Sequence, residues 1–470
     1  MLLLSADTRG YLAPCGCSEN MRGGIARAAH QVLEARRGAL PVLYVDGGDS
    51  LFGSAKLTPA QVPQEEKKAR TLAEAMKRMG LGARGAGELD DARGPAFRRG
   101  LGLPELPPGG LELLEAGGRQ VGVLRVDSAA SLVRASRRAR ERGADFVVAL
   151  FHGPLEAAAK AAAEPGQRAD LVLATHTDDE LKGEENRRAS ARVPVVQLQS
   201  KGRSLLRVDL AYGPQEGPFS LLKGQADVER EVEGLEQRMA LLDEDVNRPG
   251  LDARLKQLKQ QKLSELVQRR QRLLTAPPPR PDGQNAFTLR FLTLEASLPA
   301  DPGTQALVAR YDREVGELNL AWARAHGEDC PAPAKGEAAF VGNAPCRTCH
   351  AQAFAVYEPS KHAHAWDTLE AQGKQFHLNC VSCHVTGSGE PGGVCRLDKV
   401  KGREDVGCES CHGPGSLHAA APTKANVVGR PGRELCVTCH NLENSPHFDF
   451  ARYLPRVLGP GHGQPPAPTP

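Results

Sequence analysis

Residues 408–418 read Cys408-Glu409-Ser410-Cys411-His412-Gly413-Pro414-Gly415-Ser416-Leu417-His418. Two thiols two residues apart can reach both vinyl groups of one porphyrin, and the imidazole that follows then falls beneath the iron. The same C-x-x-C-H spacing recurs at Cys346-Cys349-His350, Cys380-Cys383-His384 and Cys436-Cys439-His440. With this composition one chance match is expected on the order of 0.01 times per chain, so four copies specify a chemistry. Paired C-x-x-C units also build zinc ribbons, but zinc does not require a histidine directly after each pair. The reading is therefore four haem c groups, with His350, His384, His412 and His440 as proximal ligands.

The residues around these motifs extend the reading. Ten of the twelve cysteines lie from Cys330 onward, and ten of the fourteen histidines from His350 onward. Six histidines remain outside the motifs, at His362, His364, His377, His418, His447 and His462. Four irons beside six spare imidazoles point to bis-histidine coordination of several haems. His418 follows His412 by only six residues, with its own haem in the way, so it is expected to serve a neighbouring iron. Cys330 and Cys395 stand outside the motifs and are read either as a disulfide or as two buried thiols.

Composition bounds the remainder. A chain of 470 residues suggests two or three domains. Charged residues at 25% and apolar residues at 40% are ordinary for globular protein, whereas aromatics at 4% are few. Stacked macrocycles would fill part of that deficit. A net charge of +3 and the absence of a basic block with aromatics give no case for nucleic acid. No apolar run reaches the eighteen or so residues of a membrane span. Covalent haem and a spare cysteine pair belong outside the reducing cytoplasm, so the chain is expected to be periplasmic or exported, with its export signal upstream of MLLLSAD. Lys and Arg nearly balance Asp and Glu beyond residue 340, and haem propionates would tip this region negative, toward a basic face on a redox partner protein.

The stretches FVGNAPCRTCH, EPSKHAHAW, CVSCHVTGSGEPGG, VGCESCHGPGSLH and LCVTCHNLENSPHFDF, within residues 340–462, resemble the tetrahaem cytochrome c-554 family, which accepts electrons from hydroxylamine oxidoreductase in ammonia oxidisers. The resemblance implies that His362 and His418 supply distal ligands, and that a histidine near the end, His462 or His447, does the same. It also implies that one haem lacks a protein sixth ligand and is open to small-molecule chemistry, which would make the chain an oxidoreductase.

Upstream, LLLSAD, PVLYVDGGD, RQVGVLRVD, DFVVALFHG, DLVLATHT and VPVVQLQ read as strands between amphipathic helices, an α/β layered domain over residues 1–215. Residues 216–335 follow as a helical hairpin plus a strand–helix connector. In it Val228, Val232, Leu235, Met239, Leu242 and Val246 form a heptad seam, read as a spacer or a dimer contact. Residues 336–470 form the third domain, expected to be packed on haem and mostly irregular or α-helical.

Asp7, Asp49, His152 and His176 each close a strand-like run, where functional residues of open α/β sheets gather. Carboxylates with imidazoles suit a divalent Zn, Mn or Fe; the plain alternative is helix-capping Asp and backbone-bonded His. The order resembles the 5′-nucleotidase branch of the calcineurin-like metallophosphoesterases. That family carries Asp-x-His, Gly-Asp, Gly-Asn-His-Asp/Glu, a lone His and Gly-His-x-His around two metals. Asp7-Thr8-Arg9, Gly48-Asp49, Ala86-Gly87-Glu88, His152 and Thr175-His176-Thr177-Asp178 stand in those places. The resemblance implies Asp49 as the bridging carboxylate, with Asp7, His152 and His176 completing the set. Arg9, Ala86 and Gly87 depart from it, and a clamp missing those parts is expected to be degenerate, holding one metal. The rival reading is an active nucleotidase-like phosphohydrolase carrying a cytochrome module; a third is a redox-gated binding protein without turnover. Cys15 and Cys17, in PCGCSENMRGG, are placed to replace lost ligands or to form a redox pair.

Overall fold

The computed structural model describes the chain except residues 15–20, 178–182, 184, 215–216, 223–224, 248–250, 276–282, 442–443, 446–447, 460–461 and 463–470. Cys15, Cys17, Asp178 and His447 lie outside the described residues. The chain divides into two compact units. Of the described residues, the first comprises those within 1–14, 21–57 and 68–308, the second those within 58–67 and 309–470.

The first unit is built on thirteen strands. They are β1 (Leu2–Ser5), β2 (Leu43–Asp46), β3 (Leu81–Gly85), β4 (Glu105–Leu106), β5 (Leu111–Ala116), β6 (Arg119–Val126), β7 (Phe146–Phe151) and β8 (Leu171–Ala174), followed by β9 (Arg187–Ser190), β10 (Pro194–Gln197), β11 (Ser204–Ala211), β12 (Ser220–Leu221) and β13 (Ala286–Thr293). One sheet has the order β12-β13-β11-β1-β2-β3-β4, the other β5-β6-β7-β8-β10-β9. In the middle of each sheet the strands run parallel, β1 beside β2 beside β3 and β6 beside β7 beside β8. That is why FVVALF of β7 is apolar throughout and buried at every position: a parallel strand covered on both faces has no solvent side.

The sheets face each other across Leu2, Leu4, Val45, Val148, Leu150, Leu173, Val196 and Leu289. Helices Ala129–Glu141 and Leu155–Ala162 cover the other face of the second sheet, burying Leu132, Ala135, Ala158 and Ala162 against Leu124, Val147, Ala149 and Val172. Ser128 starts the first of these helices by accepting the Ser131 N–H in a capping box. Each fully buried Val or Leu contributes about 1.5–3 kcal/mol, so the paired layers outweigh any single loop.

The hairpin and the strand of the segment expected to stand between the two domains belong to this sandwich, while most of its helix Pro302–His326 falls in the second unit. β13 pairs with β11 along its whole length, from Ser204 opposite Thr293 to Ala211 opposite Ala286. Helices Gln225–Val246 and Ala253–Thr275 form the hairpin. Its seam residues Leu235, Met239 and Val246 are buried, as are Val267 and Leu274 of the second helix, while Val232 and Leu242 are half-buried. Arg270, 1% exposed, is held there by Glu295 at 3.0 Å.

The second unit is short helices and turns. Helix Asn343–Cys349 carries the first attachment motif up to Cys349, Leu378–His384 the second and Cys408–His412 the third, while Arg433–Cys436 leads into the fourth. Its apolar cluster is small: Ala323, Trp366, Val381, Val385, Val394, Leu397 and Val400. Residues 58–67 belong to this unit because Gln64 is bonded into it. Gln64 Oε1 accepts from Asn319 Nδ2 at 2.8 Å and from the Leu378 N–H at 3.0 Å, the start of the second motif's helix. No described helix is long and apolar enough to cross a membrane.

Cys330 and Cys395 form a disulfide with Cα atoms 5.1 Å apart, the first of the two sequence alternatives. It closes 65 residues of chain, and a loop of that size restricts the unfolded ensemble. Replacing both cysteines by serine is expected to lower the stability of the second unit by roughly 2–4 kcal/mol, read from denaturant unfolding followed at the haem absorbance.

Candidate haem-binding and metal sites

The eight motif thiols form no disulfide and are half-buried or exposed, so a porphyrin could reach them without unfolding the unit. The Cys346 and Cys408 thiols hydrogen-bond to each other, as do those of Cys383 and Cys439. These contacts bring the first motif beside the third and the second beside the fourth. The hydrogen bond from Cys408 lowers the Cys346 thiol to about 7, and the one from Cys383 lowers Cys439 to about 6.

The motif imidazoles are oriented from behind. His412 Nδ1 lies 2.6 Å from the Val428 carbonyl and His384 Nδ1 at 2.5 Å from the Ala365 carbonyl. A carbonyl oxygen only accepts, so Nδ1 carries the proton and the Nε2 lone pair is left for a metal. His440 Nδ1 is 3.2 Å from Ser445 Oγ. His418, outside the motifs, has the same support: its Nδ1 is 2.9 Å from the Thr423 carbonyl.

Two spare imidazoles stand opposite motif imidazoles. The rings of His350 and His418 have centroids 6.0 Å apart, those of His362 and His440 6.1 Å. A metal–imidazole bond is about 2 Å and the donor nitrogen lies about 1.1 Å from the ring centre, so two imidazoles on one metal axis have centroids roughly 6 Å apart. His462 is near both His412 and His350: burial lowers its pKa, and the charges of those two rings lower it further. His362 is lowered by burial, and His440 by burial and then by His362, so both favour the neutral, metal-binding form. The other two spare histidines are committed elsewhere. His364 uses Nδ1 on Asp367 at 2.9 Å and Nε2 on the Glu358 carbonyl at 3.1 Å. His377, 6% exposed, places Nε2 3.1 Å from the Asp312 carbonyl.

In the first unit, Asp7, Asp49, His152 and His176 follow the carboxyl ends of β1, β2, β7 and β8. Asp49, His152 and His176 offer one ligand atom each within 4.8 Å of one another. Asp49 Oδ2 is the hub, 2.6 Å from His176 Nδ1 and 3.9 Å from His152 Nδ1. Burial lowers the pKa of His152 against the pull of Asp49, leaving a neutral imidazole. One carboxylate with two imidazoles is a donor set used for zinc and for non-haem iron.

Asp7 is not part of that trio. Its Oδ1 takes Arg9 Nε at 2.7 Å, while its buried Oδ2 has no hydrogen-bond partner. Arg9 also donates through Nη2 to the Thr177 carbonyl. A guanidinium thus sits against the carboxylate where the resemblance called for a second cation. Asp7, Arg9 and Asp49 all have positive φ, 53°, 51° and 51°, a region non-glycine residues rarely enter. The loops are zipped by Asp7 N–H to the Gly48 carbonyl and Arg9 N–H to the Asp49 carbonyl, both at 2.9 Å. A Cβ at Gly87 would stand 2.0 Å from Asp49 Oδ1, so no side chain fits there while Asp49 keeps this position.

Two residues that hold these sites escaped the sequence reading. Buried Asp90 accepts the N–H groups of Asp49, Ser50, Leu51 and Gly87 at 2.9–3.0 Å. Burial alone would raise its carboxyl, but the Arg84 charge and those N–H groups keep it below the ordinary range. Glu409, inside the third motif, is likewise buried. Nothing in a one-dimensional pattern marks either one.

Residues 345–413 match the family described as cytochrome c554 and c-prime. The C-terminal region is similar to cytochrome c-554. The curated cytochrome c-554 of Nitrosomonas europaea is 32% identical over 144 residues, covering 23% of this chain. The chain spans about 61% of the length of that relative. The cytochrome c-554 likeness implies haem c as the cofactor of this region. Similar solved structures include a 5′-nucleotidase precursor from Thermus thermophilus, with 13% identity, 80% of this chain and 68% of that one covered, and a TM-score of 0.41. A sulfate thiohydrolase of the same organism has 16% identity, coverage of 66% and 49%, and a TM-score of 0.39. A calcineurin-like phosphoesterase from Bacillus subtilis has 17% identity, coverage of 46% and 86%, and a TM-score of 0.35.

Burial raises Asp7 to about 6 despite Arg9. The folded chain therefore binds that proton more tightly than the unfolded chain, and the stability this contributes is lost as pH rises from about 4 through 6. In chelator, wild-type protein is expected to lose stability over that interval. Asp7→Asn should flatten the loss and gain on the order of 1–2 kcal/mol at pH 7.5, with little gain at pH 4, measured by urea unfolding.

Proposed function

We propose that the chain is an exported electron-transfer protein carrying four haem c groups, joined to an α/β sandwich whose metal centre has degenerated to a single-cation site. The observation that carries the first part is the spacing of the His350–His418 and His362–His440 pairs, 6.0 and 6.1 Å, which suits one iron between each. Bound haem c supplies a one-electron iron couple. The residues do the rest. Cys346, Cys349, Cys380, Cys383, Cys408, Cys411, Cys436 and Cys439 would hold the four groups as thioethers, with His350, His384, His412 and His440 as the motif ligands. His418, His362 and His462 would be the further ligands of the first, fourth and third haems. The contacts of Cys346 with Cys408 and of Cys383 with Cys439 support close haem–haem approach in two pairs. The second haem would be the one left without a further histidine ligand, because His364 and His377, the spare imidazoles that precede its motif most closely, are bonded to Glu358, Asp367 and Asp312. Small-molecule chemistry would belong there. The disulfide and thioether chemistry support export, and redox proteins are the expected partners.

In the sandwich, Asp49, His152 and His176 would hold one Zn, Mn or Fe ion as a Lewis acid. For His176 to ligate through Nδ1, that nitrogen would have to give up any proton it holds against Asp49 Oδ2. Arg9 beside Asp7 and the closed space at Gly87 support a site without the second metal or the assisting histidine, and hence without phosphoester turnover.

Protein matured with haem-attachment machinery is expected to carry four haems by mass spectrometry, and fewer would overturn the main reading. His418→Met should change the spectrum of the haem on Cys346 and Cys349, not that of its own neighbour at Cys408. Metal analysis should give one equivalent, lost in Asp49→Ala. Phosphate monoester hydrolysis with Mn²⁺ or Zn²⁺ should stay at the blank rate; turnover abolished by Asp49→Ala would restore the phosphohydrolase.

A further inference from the structure

Glu409 lies between two haem-attaching residues, a position whose side chain the motif leaves unspecified. It is 4% exposed, and among the described residues no ion pair includes it. Its carboxylate is satisfied by backbone N–H groups instead. Val341 N–H is shared between Oε1 at 2.9 Å and Oε2 at 3.1 Å, Gly342 N–H reaches Oε2 at 2.7 Å, and Gly415 N–H reaches Oε1 at 2.7 Å. Hydrogen bonds to an ionised acceptor are the strong ones, and a buried carboxylate without them is costly.

The three donors come from two segments. Val341 and Gly342 lead into helix Asn343–Cys349; Gly342, at φ 77°, is its N-cap, and the helix ends one residue before His350. Gly415 closes the Gly413-Pro414-Gly415 turn and is the N-cap of helix Ser416–Ala420, which carries His418. A parallel seam reinforces the joint: Ala339 N–H donates to Ser416 Oγ at 2.8 Å, and Ser416 N–H to the Ala339 carbonyl at 3.1 Å. The Cys408 N–H meets Asn343 Oδ1 at 2.9 Å. One carboxylate therefore fixes the starts of the two helices whose imidazoles face each other at 6.0 Å.

We propose that Glu409 is the positioning residue for the axial ligands of a haem to which its own motif is not attached: from the third motif it sets His418 against His350 of the first. This rests on the reading that His350 and His418 share an iron. Electron transfer between the two haems then depends on the same carboxylate, because it fixes the separation of their attachment helices. Glutamine in its place presents an amide N–H to groups that are themselves donors, so at least one of the three contacts fails.

The test uses full-length protein with its haems attached, comparing wild type, E409Q and H418M by haem mass count, electron paramagnetic resonance and the midpoint potentials of individual haems. E409Q is expected to retain four haems while the first haem loses low-spin signal toward high spin and shifts in potential; the His362–His440 haem keeps its wild-type values. Should E409Q fail to mature, S416A, which removes only the Ala339 N–H to Ser416 Oγ bond, is expected to shift the same haem in the same direction by a smaller amount. A first haem unchanged in E409Q, or in S416A where that variant decides, overturns the proposal provided that H418M alters it. Changes spread evenly over all four haems also overturn it, since a general loss of packing would produce them. H418M leaving the first haem unchanged overturns the shared-iron reading instead.

Discussion

An imidazole can ligate a metal only through a nitrogen whose lone pair is free, and in His384, His412 and His418 that condition is imposed by a backbone carbonyl on Nδ1. Three imidazoles of the cytochrome-like unit, two of them in C-x-x-C-H motifs, meet this requirement. Its helices are four to seven residues long at the attachment points, too short to be stable by propensity. Turns, carboxylate latches and one disulfide hold them, and the apolar cluster around Trp366 and Val381 is small. Such a framework keeps accessible thiols and oriented nitrogens in place with little apolar core.

The sandwich solves its own problem by the opposite means. Two sheets buried on both faces anchor strand ends so firmly that the loops after them tolerate unfavourable backbone. Asp7, Arg9 and Asp49 at positive φ are the result, with Asp90 collecting four N–H groups to hold the Asp49 loop. In both units a buried carboxylate neutralised by N–H groups does what a metal or an ion pair does elsewhere. Asp90 also has Arg84 at 2.8 Å; Glu409 has backbone N–H groups and no described ion pair.

Much was legible in one dimension because covalent chemistry has fixed spacing. The four C-x-x-C-H motifs needed no fold to be recognised, and the runs ending at Asp7, Asp49, His152 and His176 announced the strands of a layered α/β unit. The heptad seam was also visible, but what it packs against was not; Leu235 and Met239 are buried within the folded chain, where the two hairpin helices pack on each other. The connector strand Ala286–Thr293 was read correctly as a strand and placed in the wrong domain, since pairing with Ser204–Ala211 is a long-range register that local alternation cannot encode. Gln64 escaped for the same reason: its partners Asn319 and Leu378 lie some hundreds of residues away.

The sequence by itself determined the cofactor chemistry of the C-terminal region and the presence of a layered α/β unit, because thiol spacing and hydrophobic period are local properties. Only the tertiary structure decided which spare imidazole faces which motif, that Cys330 meets Cys395, that Asp49 gathers His152 and His176 while Asp7 is taken by Arg9, and that Glu409 joins the first motif to the third. Those outcomes depend on the distance between groups remote in the chain, and distance is set by packing and by where buried polar atoms find their partners.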